Sequence, residues 1–80
     1  MKFYGSTECS RCRAAIEELD QAGTEYEFID VIGSKENLKE FLQLRDSSSL
    51  FDVPRQEGRI GIPAFVTDSG DITLSVADVK

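Results

Sequence analysis

The feature that most constrains the fold is a change of hydrophobic period early in the chain. The run Lys2–Tyr4 is short and bulky and stops at Gly5, which indicates a strand followed at once by a turn. β-forming residues return from Tyr26 to Ile32, so we expect a second strand parallel to the first and a βαβ unit. The intervening helix is predicted from apolar residues spaced three or four apart, at Cys12, Ala15, Ile16, Leu19 and Ala22.

The ends of two helices are marked by polar residues and glycine. We expect Ser6 or Thr7 to cap the start of the first helix and Gly23 to end it. Ser34 is the expected N-cap of a second helix, which stops in the serine-rich segment 46–49. The inward-facing stripe of that helix is predicted to contain Leu38, Phe41, Leu42 and the aliphatic stem of Arg45.

The C-terminal half begins with an irregular segment, Leu50 to Gly61. We expect a loop there, because Pro54 disfavours helix at Val53, although one turn ended by Gly58 could form. Residues 63–67 and 71–74 resemble strands joined by a hairpin turn, and residues 75–80 begin a short final helix. The prediction is a single α/β domain over residues 1–80, ordered β-α-β-α-β-β(-α), with a four-stranded mixed sheet.

Charge and composition exclude several classes of function. The chain has 9 Lys and Arg against 15 Asp and Glu, a net charge of −6, and no histidine. Binding to nucleic acid or an anionic membrane needs a basic face, so we expect neither partner. Without histidine there is no Cys-His or Ser-His nucleophile pair and no Cys2His2 zinc site. No apolar stretch is long enough to span a bilayer, and we expect a cytoplasmic protein.

Two cysteines, Cys9 and Cys12, lie at the start of the first predicted helix. Unpaired N–H groups and the helix dipole at that position stabilise a thiolate, and Arg11 and Arg13 add positive charge. Glu8 opposes part of this effect. We therefore predict that Cys9 is largely ionised at neutral pH and attacks a disulfide, and that the more buried Cys12 resolves the mixed disulfide.

Metal binding and core packing are two other uses of a cysteine pair. A structural zinc site needs four ligands, and this chain offers two cysteines and no histidine, so we expect no metal within one chain. Thiolates from two subunits could still share a metal or an iron–sulfur cluster. The pair could also simply pack in a core, although the flanking arginines favour exposure of Cys9.

The sequence resembles the glutaredoxin-like branch of the thioredoxin superfamily. The resemblance covers nearly the whole chain and is carried by four segments: Phe3-Tyr4-Gly5, Cys9-Ser10-Arg11-Cys12, Tyr26 to Val31, and Ile62-Pro63. It implies a thioredoxin-like fold and a disulfide oxidoreductase that serves cell redox homeostasis and electron transport. It also implies a cis peptide at Pro63 and substrate pairing at the backbone of Ile62. No bound cofactor is expected.

The same resemblance bears on the substrate and partner. A monomer that reduces a disulfide-containing protein, with glutathione as a co-substrate, is the implied arrangement. Asp78 matches an acidic residue that holds the glutathione amino group, and Arg11 is a further substrate-binding candidate. Ser6 stands where many glutaredoxins have a basic residue, and Leu74-Ser75 stands near the position of a glycine pair. Protein disulfides and glutathione mixed disulfides are therefore both possible substrates.

Three further interpretations are kept. Tyr4-Gly5, Cys9 to Ala14 and Glu25 to Asp30 also resemble the opening of arsenate-reductase-like proteins and a related regulator family. A redox-sensing module and a cluster carrier are the others. Arg55 and Arg59, ahead of Pro63, could meet an anionic substrate group or merely solvate a loop.

Overall fold

The computed structural model describes residues 1–80 and shows an α/β arrangement with three α-helices and four strands. The longest helix has 13 residues, and no helix is long and apolar enough to cross a membrane. Two 3₁₀ turns, Ser49–Phe51 and Val76–Asp78, complete the chain. In order, the elements are β1 Lys2–Gly5, α1 Ser10–Gln21, β2 Glu27–Asp30, α2 Lys35–Ser47, α3 Asp52–Gln56, β3 Ala64–Val66 and β4 Ile72–Thr73.

The sheet is mixed, with strand order β2-β1-β3-β4. β1 runs parallel to β2, with Phe3 opposite Phe28, and antiparallel to β3, with Phe3 also opposite Phe65. β4 pairs antiparallel with β3 through the predicted hairpin. The predicted βαβ unit and four-stranded mixed sheet are confirmed.

The core has one cluster on each face of the sheet, because neighbouring residues of a strand point in opposite directions. Phe3 packs toward α1, whereas Tyr4 packs toward α2. The α1 cluster contains Phe3, Cys12, Ala15, Leu19 and Phe65. The α2 cluster contains Tyr4, Ile29, Val31, Phe41, Phe51 and Ala64. Cys12 is thus a core residue, and the sheet lies between the two helices.

The N-terminal cap was predicted correctly for one helix and wrongly for the other. Ser34 caps α2, and its hydroxyl accepts a hydrogen bond from the backbone of Asn37 at 3.3 Å. Cys9, rather than Ser6 or Thr7, occupies the cap position of α1. Ser6 lies too early because it belongs to the preceding turn, where its carbonyl accepts from the Cys9 N–H at 3.2 Å.

The predicted inward stripe of α2 is only partly right. Phe41 is fully buried, and Leu44 packs against the core beside it. Leu38 and Leu42, however, are 36% and 37% exposed. Phe41 and Leu44 are three residues apart and share the buried face, so Leu42 turns toward solvent. Leu38 is on the same face but lies in the first turn of the helix, where it is partly exposed. The guanidinium of Arg45 donates to the carbonyl of Arg59 at 3.1 Å.

The segment predicted as a loop contains the 3₁₀ turn and α3, and Val53 is helical. The expectation that Pro54 disfavours helix at Val53 was wrong. Pro54 is the third residue of α3, and N–H groups in a first turn have no partner within the helix, so proline removes nothing there. Gly58, with φ of 73°, follows the helix as predicted.

β2 is shorter than predicted because Asp30 ends it. The Asp30 carboxylate accepts hydrogen bonds from the N–H groups of Ile32 and Gly33, both at 3.0 Å, and turns the chain. At the end of α1, Gly23 has the expected left-handed φ of 69°. The final segment forms only the 3₁₀ turn Val76–Asp78, in line with the short last helix that was predicted.

Candidate functional site

Cys9 lies where the chain leaves β1 and enters α1. Its backbone is extended, with φ of −94° and ψ of 123°, and its carbonyl accepts the first helical hydrogen bond, from Arg13, at 3.0 Å. The residue is half-buried. This position places the Cys9 side chain at the N-terminal end of the helix, where unpaired N–H groups favour an anion.

Cys12 lies one turn into α1 and is completely buried. It belongs to the cluster around Phe3 and Leu19. A β-carbon at Gly5 would come within 3.1 Å of the Cys12 sulfur, so glycine leaves the space that this sulfur occupies. Both cysteines are free thiols in the structure.

The two thiols have opposite pKa shifts. Burial raises the pKa of Cys9, but hydrogen bonding from Cys12 and from the Arg11 backbone, together with the Arg11 charge, brings that pKa below its ordinary value. Burial raises the pKa of Cys12 to about 12, and interaction with Cys9 adds to the rise. Cys9 is therefore the more acidic of the two thiols, and Cys12 keeps its proton at neutral pH.

Cys9 borders two clefts. The smaller, of about 230 Å³, is called the isoleucine cleft here and is lined by Ser6, Glu8, Cys9, Ile32, Ile60 and Ile62. The larger, of about 420 Å³, is lined by Cys9, Ser10, Arg11, Gly58, Arg59, Ile60, Gly61 and Ile62. The loop between α3 and β3 thus forms one wall of both clefts, and the start of α1 forms part of the other.

A third cleft, of about 370 Å³, is lined in part by this loop and contains Pro63. Arg11, Arg59 and Ile62 line it as well, so it adjoins the larger cleft beside Cys9. The Ile62–Pro63 peptide is cis, as the resemblance implied. Leu74, Ser75 and Val76 also line this third cleft.

The structure brings five of the six predicted site residues together. Cys9, Arg11, Ile62 and Pro63 line the connected clefts, with Cys12 buried behind Cys9. Asp78 lies in the last 3₁₀ turn and lines none of these clefts, and its carboxylate accepts a 2.6 Å hydrogen bond from the Thr73 hydroxyl.

Arg55 and Arg59 lie in different surroundings. Arg59 lines both clefts that contain Arg11, and its guanidinium donates to the carboxylate of Glu57. Arg55 lines none of the clefts and forms ion pairs with Asp52 and Asp46. Of these two candidates for an anionic substrate group, only Arg59 is near the cysteines.

Sequence reasoning missed two site residues, Ile32 and Ile60. Ile32 lies two residues after Asp30 and directly before Gly33, and Ile60 lies two residues after Gly58 and directly before Gly61. Ile32 lies in the turn after β2 and Ile60 in the loop before β3, and the glycine after each is the one local signal that could have indicated an exposed side chain. Ile32 was counted instead as part of the second strand.

Comparison with known proteins gives one informative match. No family model matches the chain, and no solved structure matches it. A protein of Haemophilus influenzae, described as an uncharacterized protein, is 38% identical over 78 residues, which cover 98% of this chain and 90% of the relative. The chain belongs to the family of that Haemophilus protein. The likeness spans nearly the whole domain.

The side chains of this protein limit which metal or cofactor its candidate site could hold. No three His, Cys, Asp or Glu side chains are grouped as a set of metal ligands. The arrangement instead offers one accessible thiol, one buried thiol and a guanidinium beside them. Those groups suit attack on a sulfur atom followed by a second attack from within the chain.

Proposed function

We propose that this protein is a thiol–disulfide oxidoreductase of glutaredoxin-like type, with Cys9 as nucleophile and Cys12 as resolving thiol. One observation carries the proposal: a half-buried thiol with a lowered pKa at a helix start lies next to a buried thiol with a raised pKa. A pair that only packed in the core would have no reason for this asymmetry, because burial alone raises the pKa of both thiols.

The reaction has two exchange steps. The Cys9 thiolate attacks one sulfur of a substrate disulfide, a bond forms between them, and the other substrate sulfur leaves as a thiolate. Cys12 then loses its proton and attacks the Cys9 sulfur, which releases the second substrate thiolate. The substrate gains two electrons, and the protein is left with a Cys9–Cys12 disulfide that a dithiol or two molecules of a monothiol must reduce.

The surroundings of the pair support this sequence of steps. Arg11 lies beside Cys9 and favours its anionic form. Cys12 lies against the backbone of β1 and is shielded from bulk solvent, so it reacts only with the sulfur already bound to Cys9. Two clefts meet at Cys9 and leave room for the groups attached to a substrate disulfide.

We also propose that the fold is thioredoxin-like. The support is topological: β1 and β2 are parallel and joined by α1, β3 and β4 form an antiparallel hairpin, and β1 and β3 are central. The loop before β3 lies beside the start of α1. Arg11 and Arg59 would then meet carboxylates of a glutathione or protein substrate, and the domain would act as a monomer.

The test is reduction of a protein disulfide and of a glutathione mixed disulfide, with a thioredoxin-type or glutathione-type reductant. Wild-type protein should reduce at least one of them. Cys9→Ser should abolish the activity, and Cys12→Ser should accumulate a mixed disulfide that intact-protein mass spectrometry detects. Ser49→Ala, at an exposed site outside the clefts, is the matched control and should behave as wild type.

Inactivity of wild-type protein toward both disulfides with both reductants would refute the proposal. Visible absorbance and stoichiometric iron in a dimer purified without oxygen would favour a cluster carrier instead. A complex with another protein in only one redox state would favour a redox sensor.

A further inference from the structure

Two large aliphatic side chains are held in solvent beside Cys9. Ile32 is 51% exposed and Ile60 is 44% exposed, and with Ile62 they line the isoleucine cleft. They come from different parts of the chain and meet only at this thiol. Apolar surface gathered around a reactive group favours binding of an apolar partner group.

The exposure of Ile32 results from an ordered turn. The Asp30 carboxylate accepts from the N–H groups of Ile32 and Gly33, and the Asp30 carbonyl accepts from the Asn37 side chain at 3.1 Å. A β-carbon at Gly33 would come 2.5 Å from the Asp30 carboxylate. The turn therefore needs glycine at position 33 and holds Ile32 in place.

Ile60 is held by a second anchored loop. The N–H of Arg59 donates to the carbonyl of Pro54 at 2.8 Å, and the Arg59 carbonyl accepts from Arg45. Gly61 has φ of 103° and lies so close to the Phe51 ring that a β-carbon would come within 2.8 Å. The backbone on both sides of Ile60 is thus fixed to buried structure while its side chain faces solvent.

The chemistry of the isoleucine cleft limits its occupant. Glu8 is the one charged residue that lines it, and no lysine or arginine does. The two free carboxylates of glutathione would find no cation there and would meet a like charge. The volume of about 230 Å³ is below the ~300–1,000 Å³ typical of small-molecule sites and suits a single side chain.

We propose that Ile32, Ile60 and Ile62 bind the apolar side chain next to the disulfide-bonded cysteine of a polypeptide substrate. The proposal rests on the proposed oxidoreductase function and narrows its substrate to protein disulfides with an apolar neighbour. Attack by Cys9 fixes the position of the substrate sulfur. Adjacent residues of an extended chain are only ~3.8 Å apart at Cα, so a neighbouring side chain reaches the cleft.

The experiment compares two peptide disulfides that differ only in the residues flanking cysteine, leucine in one and serine in the other. The kcat/KM of wild-type protein should be about 10-fold higher for the leucine peptide than for the serine peptide, which is the low end of the discrimination that an apolar pocket gives. Ile32→Ser and Ile60→Ser should each lower that preference to about 2-fold or less, with most of the loss in kcat/KM on the leucine peptide. Val53→Ser, at a residue 57% exposed and outside every cleft, should keep the full preference.

Two results would overturn the proposal while leaving the oxidoreductase function intact. One is equal reduction of both peptides by wild-type protein, and the other is an equal loss on both peptides in the isoleucine variants. If wild-type protein reduces neither peptide and no glutathione mixed disulfide, the oxidoreductase function fails instead. Binding to the isoleucine cleft is then tested by NMR with the same peptides carrying S-methylcysteine. Chemical-shift changes of the Ile32 and Ile60 methyl groups that appear only with the leucine peptide support the proposal, and the absence of such changes refutes it.

Discussion

Gly5 lies directly against the sulfur of Cys12. A β-carbon at position 5 would come within 3.1 Å of Sγ and within 2.7 Å of the Phe3 ring. The last residue of β1 therefore sets the depth at which the Cys12 thiol is buried, and the strand and helix contact each other closely at this point.

Gly5→Ala should destabilise the protein. The added methyl group must displace the Phe3 ring or the Cys12 side chain, and overpacking of this kind costs about 1–3 kcal/mol. Urea unfolding at pH 7 measures the change. Thr7→Ala, at an exposed residue of the next loop, is the control and should change the free energy of unfolding by less than about 0.5 kcal/mol. Equal stabilities for Gly5→Ala and wild type would show that the contact is not tight.

Arg11→Gln should raise the pKa of Cys9. Arg11 contributes to the lowered pKa of Cys9 through its charge, whereas the Arg13 guanidinium donates to the Thr7 carbonyl at 2.9 Å. The rate of iodoacetamide alkylation against pH, in a Cys12→Ser background, reports this pKa. The midpoint should move up in Arg11→Gln and stay in place in Arg13→Gln. An equal shift in both variants would mean that overall charge, not the position of Arg11, stabilises the thiolate.

Stability should fall in alkaline solution because of Cys12. Its raised pKa means that the native state binds more protons than the unfolded chain between the ordinary thiol pKa of ~8.5 and about 12, so stability falls as pH rises through this window. In a Cys9→Ser background, where burial still raises the pKa of Cys12, Cys12→Ala should remove about 1 kcal/mol of the fall in stability between pH 8 and 10. Urea unfolding at each pH measures it.

Tyr4 contributes to the same alkaline loss and serves as the comparison. Its pKa is raised by burial and by the 2.6 Å hydrogen bond that its hydroxyl donates to Glu40. Tyr4→Phe should reduce the fall in the free energy of unfolding at the upper end of the range from pH 8 to 10. An unchanged pH profile in Cys12→Ala would contradict the assignment of the loss to the thiol.

Asp30→Ala should destabilise the turn after β2. Its carboxylate holds two backbone N–H groups, and loss of the pair should cost about 1–2 kcal/mol by thermal or urea unfolding. Asp30→Asn keeps an acceptor and should recover most of the loss. Asp46→Ala, which removes only a surface ion pair 4.0 Å from Arg55, should cost less than about 0.5 kcal/mol. Equal losses in Asp30→Ala and Asp46→Ala would exclude the proposed turn.

Much of the secondary structure was predictable because its signals are local. Hydrophobic spacing predicted α1, the serine at position 34 predicted a helix start, and Gly23 and Gly58 marked helix ends. Each signal acts within one or two turns of chain. The α1 cap was missed because Ser6 and Cys9 both precede the helix, and only the backbone path shows which one borders its first turn.

The sequence by itself determined the positions of Cys9 and Cys12 at a strand–helix junction, since strand, turn and helix there are adjacent in the chain. The tertiary structure alone decided which leucines of α2 are exposed and which residues surround the Cys9 thiol. Ile32 and Ile60 reach Cys9 because β2 and the loop before β3 lie on either side of β1. Contacts between such distant segments depend on strand order and packing, which no local pattern of residues encodes.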